Sequence, residues 1–294
     1  MATARSLHHH DYTVAWVCAL PLEMAVAKAM LDEIHPDLST SSNDQNTYIL
    51  GRIRAHNVVI ACLPSGVYGM TSAATVAIQM LFTFRSIRFG LMVGIGGGVP
   101  GKDADIRLGD VVVSKPTGDF GGVVQYDFGK TVAQGVFERT GSLNRPPQIL
   151  LTAISRLQAE GMMEASRIPE FLSEMMAAYP RMRTEFTYRD QEQDRLFDAA
   201  SDHYELENTC DNCQTSRLVT RAARHRHGPV IHYGLIASGN QVIKHGGTRD
   251  RLGQELGILC FEMEAAGLMD NFPCLVIRGI SDYADSHKNN QWQG

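Results

Sequence analysis

The chain has 294 residues, 44% hydrophobic and 20% charged, with a formal net charge of −5. That length can bury a substantial core, and the composition excludes a chain dominated by disorder. The acidic balance argues against nucleic acid as the main partner, because a phosphate backbone favours a basic surface. No apolar run is long enough to cross a bilayer, and the residues after Met1, ATARSLHHHDYT, lack an apolar signal core, so no membrane partner and a cytoplasmic location are expected. Four of the six cysteines (Cys18, Cys62, Cys210, Cys213, Cys260 and Cys274) sit inside apolar segments, which suits a reducing compartment. His8 to His10 are given no role.

Apolar stretches alternate with helix-like ones through the first hundred residues. Tyr12 to Ala19 predicts a buried strand and Leu22 to Ile34 a helix. Tyr48 to Ile53 and Val58 to Leu63 predict paired strands, followed by a turn carrying Ser65, Gly66 and Gly69 and a helix over Thr71 to Phe84. Phe89 to Ile95 predicts another buried strand, ending in the glycine cluster Gly94-Ile95-Gly96-Gly97-Gly98, and Val111 to Ser114 one more. Pro146 to Gly161 predicts a helix. From about 162 to 228 the apolar pattern weakens and charge is blocky, with acids from Glu185 to Glu207 and then Arg217, Arg221, Arg224 and Arg226. This reads as a surface insertion in a single domain spanning 1–294. The pattern resumes with a strand at His232 to Ser238, a helix near Asp250 to Leu256, a strand or turn at Leu259 to Glu262, a short helix from Met263 and a strand at Cys274 to Ile280. The rhythm predicts an α/β fold, a central mixed sheet in a layer between helices.

Two acidic stations fall at the ends of buried strands, where α/β sheets place their ligands: Phe261-Glu262-Met263-Glu264 and Arg278-Gly279-Ile280-Ser281-Asp282. A third acid, Glu23, follows the first strand. Taken singly, Glu23 is better read as favouring a helix N-terminus and Asp282 as capping a turn. Three acids at three strand ends beside a glycine cluster favour a site. The cluster itself fails the dinucleotide pattern, since Val99 stands where its third glycine is needed.

Six stretches carry a family resemblance: DYTVAWVCALPLEM (11–24), VGIGGGVPG (93–101), LGDVVVS (108–114), HYGLIASGNQVIK (232–244), CFEMEAAGL (260–268) and VIRGISDYAD (276–285). The sequence resembles the nucleoside phosphorylase superfamily, within it the methylthioadenosine/S-adenosylhomocysteine nucleosidase branch. It is most similar to the nucleoside-phosphorylase-like domains at the N-termini of fungal NLR-type proteins. The joint order of GLIASGN, FEMEAAG and RGISDYAD is the specific signal, and the pieces span most of the chain outside the insertion.

That resemblance implies a hydrolase acting on the N-glycosidic bond of an adenine nucleoside or nucleotide. Asp282 matches the general acid at purine N7, and Glu264 the acid that holds the ribose hydroxyls, with Met263 packed on the sugar and Glu262 beside them. Glu23 matches the base that orients and deprotonates water, and Arg278 a side chain that helps hold it. Val242 and Ile243 match the segment reading the base edge, although Val242 stands where relatives often carry an aromatic ring. Gly96, Gly97 and Ser65 complete the expected binding set. The segment Gln125 to Lys130 matches the family's lining of the 5′ end, where Lys130 and nearby Arg145 would contact phosphates, although exposed basic residues are usually solvated surface. ATP is a leading candidate because the fungal domains resemble enzymes that strip adenine from adenosine nucleotides. No cofactor or catalytic metal is implied.

A phosphorylase is the alternative enzyme. Against it, Met92 and Ile95 stand where phosphorylases commonly carry arginine and serine, and the Glu23 carboxylate would repel phosphate. A nucleotide-sensing module without catalysis is the alternative from another class. The family implies a homo-oligomer, and the fungal resemblance a domain of a larger receptor-like protein. Members continue past RGISDYAD into a terminal helix, whereas this sequence stops at Gln291-Trp292-Gln293-Gly294, so either a longer protein has been cut or that helix is absent. Cys210-Asp211-Asn212-Cys213 with His227 and His232 has zinc-site spacing, with His203 as a further ligand. A single C-x2-C is a weak signal, and such a zinc would brace the insertion.

Overall fold

Both faces of the sheet are covered, which is why its strands read as unbroken apolar runs. The computed structural model describes residues 7–186, 194–203, 210, 213–224, 228–288 and 291–293. The first half runs β1 (Val14–Cys18), α1 (Pro21–Ala29), β2 (Glu33–Ile34), β3 (Tyr48–Ile53), β4 (His56–Cys62), α2 (Met70–Thr83), β5 (Phe89–Gly98), β6 (Val111–Ser114) and β7 (Val123–Gln125). A hairpin of β8 (Gly129–Thr131) and β9 (Phe137–Arg139) stands apart from the main sheet. Then come α3 (Gln148–Met163), α4 (Ile168–Ala178), β10 (Ile231–Ser238), α5 (Gly246–Leu256), β11 (Ile258–Glu262) and β12 (Cys274–Asp282).

The main sheet has the order β11-β10-β6-β12-β5-β1-β4-β3-β2, with β7 on β10. Strands β4, β1, β5 and β12 are mutually parallel, and the direction reverses where β12 meets β6. Period-two alternation splits β1 between two cores. Ala15 and Val17 join Ala73, Val76, Ala77 and Met80 of α2, whereas Val14 and Cys18 join Ala27 of α1. On the other half of the sheet Leu150 and Ile154 of α3 cover Val113 and Leu275. The mixed sheet between helices is therefore the observed architecture.

Three differences from the sequence reading have physical causes. Strand β5 runs through the whole glycine cluster to Gly98, past its expected end at Ile95, and β12 extends to Asp282. The helix after β1 stops at Ala29 because the chain turns into β2 at Glu33. Part of the charged 162–228 segment is internal wiring. Arg224 donates to Asp110 Oδ1 at 2.7 Å, Arg221 donates to Asp194 at 2.6 Å, and Asp110 has no exposed surface. Burial alone would raise the Asp110 carboxyl; hydrogen bonds from Arg224, His232 and the Val230 and Arg107 amides outweigh it and hold it below its ordinary value. The same segment also forms α4, which its weak periodicity did not announce. Of the charges read there, Asp190, Glu192, Glu205, Glu207 and Arg226 lie outside the described residues. No helix among the described residues is long and apolar enough to cross a membrane.

Candidate active site

The ends of β1, β5, β11 and β12 converge because β11 pairs antiparallel with the glycine end of β5, Phe261 opposite Gly97. One cleft forms there, lined by Glu23, Ile95, Gly96, Gly97, Val242, Ile243, Glu262, Met263, Glu264, Arg278 and Asp282. All of these but Ile95 are residues the sequence reading assigned to the site. Ser65 and Lys130 are not brought there. Ser65 is exposed in the turn after β4, and Lys130 is an exposed hairpin residue whose Nζ pairs with Glu138 at 3.0 Å. Arg145 is exposed and Met92 is buried in the core, and neither lines the cleft.

Glu23 both starts a helix and reaches across the sheet. Its Oε2 accepts the Ala19 and Leu20 amides at 2.7 and 3.0 Å, which caps the start of α1. Its Oε1 accepts the Ile95 amide of β5 at 2.8 Å, 72 residues away. A carboxylate has about four lone-pair sites, so three backbone bonds fix its direction and leave room for one further donor.

The glycines of β5 are spacers for these charged groups. A Cβ on Gly94 would stand 2.4 Å from both Arg278 Nη1 and Glu23 Oε1, and one on Gly97 would stand 2.8 Å from Asp282 Oδ1. Arg278 is 1% exposed and donates from Nη2 to Glu262, with Glu264 Oε2 at 3.6 Å. Glu262 also accepts the amides of Glu264 and Ala265 at 3.1 and 3.0 Å. Its three donors all come from the protein, so it positions Arg278 and the 263–265 turn.

Glu264 has looser partners, the Gly69 and Met263 amides at 3.4 and 3.3 Å. Burial pushes its carboxyl up to about 7, the Glu262 and Glu23 charges add to this, and Arg278 opposes it. Asp282 accepts the Ala284 amide at 2.9 Å and the Ser281 hydroxyl at 3.1 Å, and Lys288 Nζ lies 2.8 Å from its Oδ2. Four buried carboxyls thus share the cleft with two paired cations. Such a field favours a ligand that gains positive charge.

Lys288, Tyr68 and Gln241 also line the cleft, and sequence reasoning missed them. Tyr68 is 54% exposed and puts an aromatic ring on a wall whose expected ring position is held by Val242. Its nearness to the DYT–PLEM and FEMEAAG pieces depends on folding alone. Lys288, by contrast, lies six residues past Asp282 and could have been flagged from its charge.

A family model described as the phosphorylase superfamily matches residues 13–293. The chain is 48% identical over 289 residues, 98% of its length, to a nucleotide-binding leucine-rich repeat (NLR)-like protein of Hyaloscypha variabilis, of which it spans only 28%. It is 27% identical over 277 residues to a 5′-methylthioadenosine/S-adenosylhomocysteine nucleosidase of Mycobacterium tuberculosis, covering 92% of this chain and 86% of that protein. The fold matches the corresponding nucleosidase of Neisseria meningitidis in complex with methylthio-immucillin-A, with a TM-score of 0.56, 17% identity and coverage of 94% and 88% of the two chains. It also matches the futalosine hydrolase of Helicobacter pylori, with a TM-score of 0.55, 16% identity and coverage of 95% and 88%. The chain belongs to the phosphorylase superfamily.

Proposed function

We propose that this chain hydrolyses the N-glycosidic bond of an adenine nucleoside or nucleotide, releasing adenine and the free sugar or sugar phosphate. The observation that carries the reading is the joint placement of Glu23, Glu264 and Asp282 in one cleft, each buried and each held by backbone amides. In this reading the sugar–base bond stretches and positive charge grows on the ribose, which the surrounding carboxylates stabilise. Asp282, acting as the carboxylic acid, gives its proton to N7 of the leaving base and ends as a carboxylate paired with Lys288. Glu23 takes a proton from water as its oxygen bonds to the sugar carbon, while Glu264 accepts from the ribose hydroxyls. Tyr68 covers the base in place of the ring missing at Val242.

Water is favoured over phosphate as acceptor because the Glu23 carboxylate would repel a phosphate dianion and the cations of the lining, Arg278 and Lys288, are already paired. Their commitment also means that support for ATP comes from the resemblance to fungal domains and from the NLR-like relative, not from the lining. The Lys130 hairpin, with Phe128, Val136 and Phe137 exposed, fits a homo-oligomer contact, and the short coverage of that relative fits a domain of a larger receptor-like protein. The hydrolase is tested by adding inorganic phosphate and identifying the sugar product. Phosphate-independent adenine release without a sugar 1-phosphate is expected; a rate that requires phosphate would overturn the reading.

The raised Glu264 carboxyl gives this reading a pH signature. A protonated acid accepts ribose hydroxyls poorly, so kcat/KM is expected to climb with pH through about 7. Glu264→Gln should remove that limb and lower kcat/KM by about 10- to 150-fold, the worth of a hydrogen bond to a charged group at roughly 1.5–3 kcal/mol. A limb that survives the substitution unshifted would assign it to another group.

A further inference from the structure

Outside the cleft, the fold gathers three soft-metal donors from the inserted segment. His203 Nδ1 lies 3.0 Å from Cys213 Sγ, and the donor atoms of His203, Cys210 and Cys213 all lie within 4.8 Å of one another. The Cys213 amide donates to the Cys210 carbonyl at 3.3 Å, which holds the two cysteines together. A tetrahedral zinc with bonds of about 2.0–2.3 Å spaces its donors roughly 3.3–3.8 Å apart, so the cluster needs only a small adjustment to close on an ion. His232, which the C-x2-C spacing suggested as a ligand, is not part of it: its Nε2 lies 2.8 Å from Asp110 Oδ2 in the sheet. His227 lies outside the described residues.

We propose that His203, Cys210 and Cys213 bind a thiophilic divalent cation of the zinc class, as a structural brace separate from the cleft. All six cysteines are free thiols, so this pair is not committed to a disulfide. Two sulfurs and one imidazole are the donor set that selects zinc over hard cations. Water or a further side chain would complete the tetrahedron, and His287 is close to His203. The His287 ring stands 5.7 Å from that of His203, stacks on Phe197 at 3.9 Å, and its buried Nδ1 has no hydrogen-bond partner.

The site ties the insertion to the segment that follows Asp282. The His203 amide donates to Ser286 Oγ at 2.8 Å, and Cys210 Sγ donates to the His287 carbonyl at 3.5 Å. Residue 288, next in the chain, is the lysine on Asp282. Metal ligation replaces the two thiol protons, which pass to solvent; the Cys210 bond to the His287 carbonyl is lost with its proton, and the binding energy of the ion stabilises the segment in its place.

The test uses the whole chain, without an affinity tag, kept reduced. Zinc is measured by mass spectrometry in the purified protein, and the chelated protein is then titrated with cobalt(II). We expect bound zinc, a fall in Tm on chelation, and a thiolate-to-cobalt charge-transfer band with tetrahedral d–d absorption. His8 to His10 can hold cobalt but cannot give the thiolate band, so the signal separates the two places. Cys210→Ser with Cys213→Ser should abolish the band, and His203→Ala should weaken cobalt binding. Wild-type protein that neither carries zinc nor gives the band with cobalt would overturn the proposal, whatever the variants do. So would a folded double variant that keeps the wild-type band.

Discussion

Replacing Asp282 with asparagine is expected to lower adenine release by about 10²–10⁴-fold, the usual contribution of a positioned general acid. The change is nearly isosteric, and the asparagine oxygen can still accept the Ala284 amide that Asp282 accepts at 2.9 Å. The position therefore keeps its anchor and loses its acid. Adenine is a poor leaving group as an anion, so the barrier rises by the full cost of leaving N7 unprotonated. Lys288→Met removes the ammonium at 2.8 Å but leaves the carboxyl, and a smaller loss is expected. Initial rates of adenine release, with circular dichroism to confirm folding, check both. Near wild-type activity in Asp282→Asn would remove Asp282 from the mechanism.

Glu23→Gln is expected to lower kcat by about 10²–10⁴-fold with little change in KM, because it removes the base for water and leaves the sugar and purine contacts in place. The structure adds a second effect. Glu23 accepts three backbone amides through two oxygens, and a glutamine must turn its own NH₂ toward at least one of them. A donor then faces a donor, and an unsatisfied buried amide costs roughly 1–3 kcal/mol. The variant should unfold at lower urea, and its loss of kcat should persist well below that transition. A variant with altered KM and unaltered kcat would place Glu23 in binding alone.

The framework was legible because burial on both faces leaves its mark on every residue of a strand. Val14–Cys18 and Cys274–Ile277 are apolar without alternation for that reason, and the charged residues beyond them stand out against them. The glycine cluster was harder. Glycine in a sequence suggests a turn, whereas Gly94 and Gly97 are here because Arg278, Glu23 and Asp282 occupy the space of their side chains. Nothing local announces that. The charged insertion misled for a related reason, since Arg224 finds Asp110 across 114 residues and such partners leave no periodic trace. Tyr68, exposed in a short turn, and His203, ten residues before Cys213, likewise take their meaning only from what folding brings beside them.

Chromatography of the free base from adenosine, methylthioadenosine, AMP and ATP in phosphate-free buffer tests the central claim most directly. Free adenine from at least one of the four is predicted, and the order of rates then identifies the 5′ group the cleft accepts. No base from any of them, with nucleotide still bound, would contradict the account and leave a sensing module built on a nucleosidase fold.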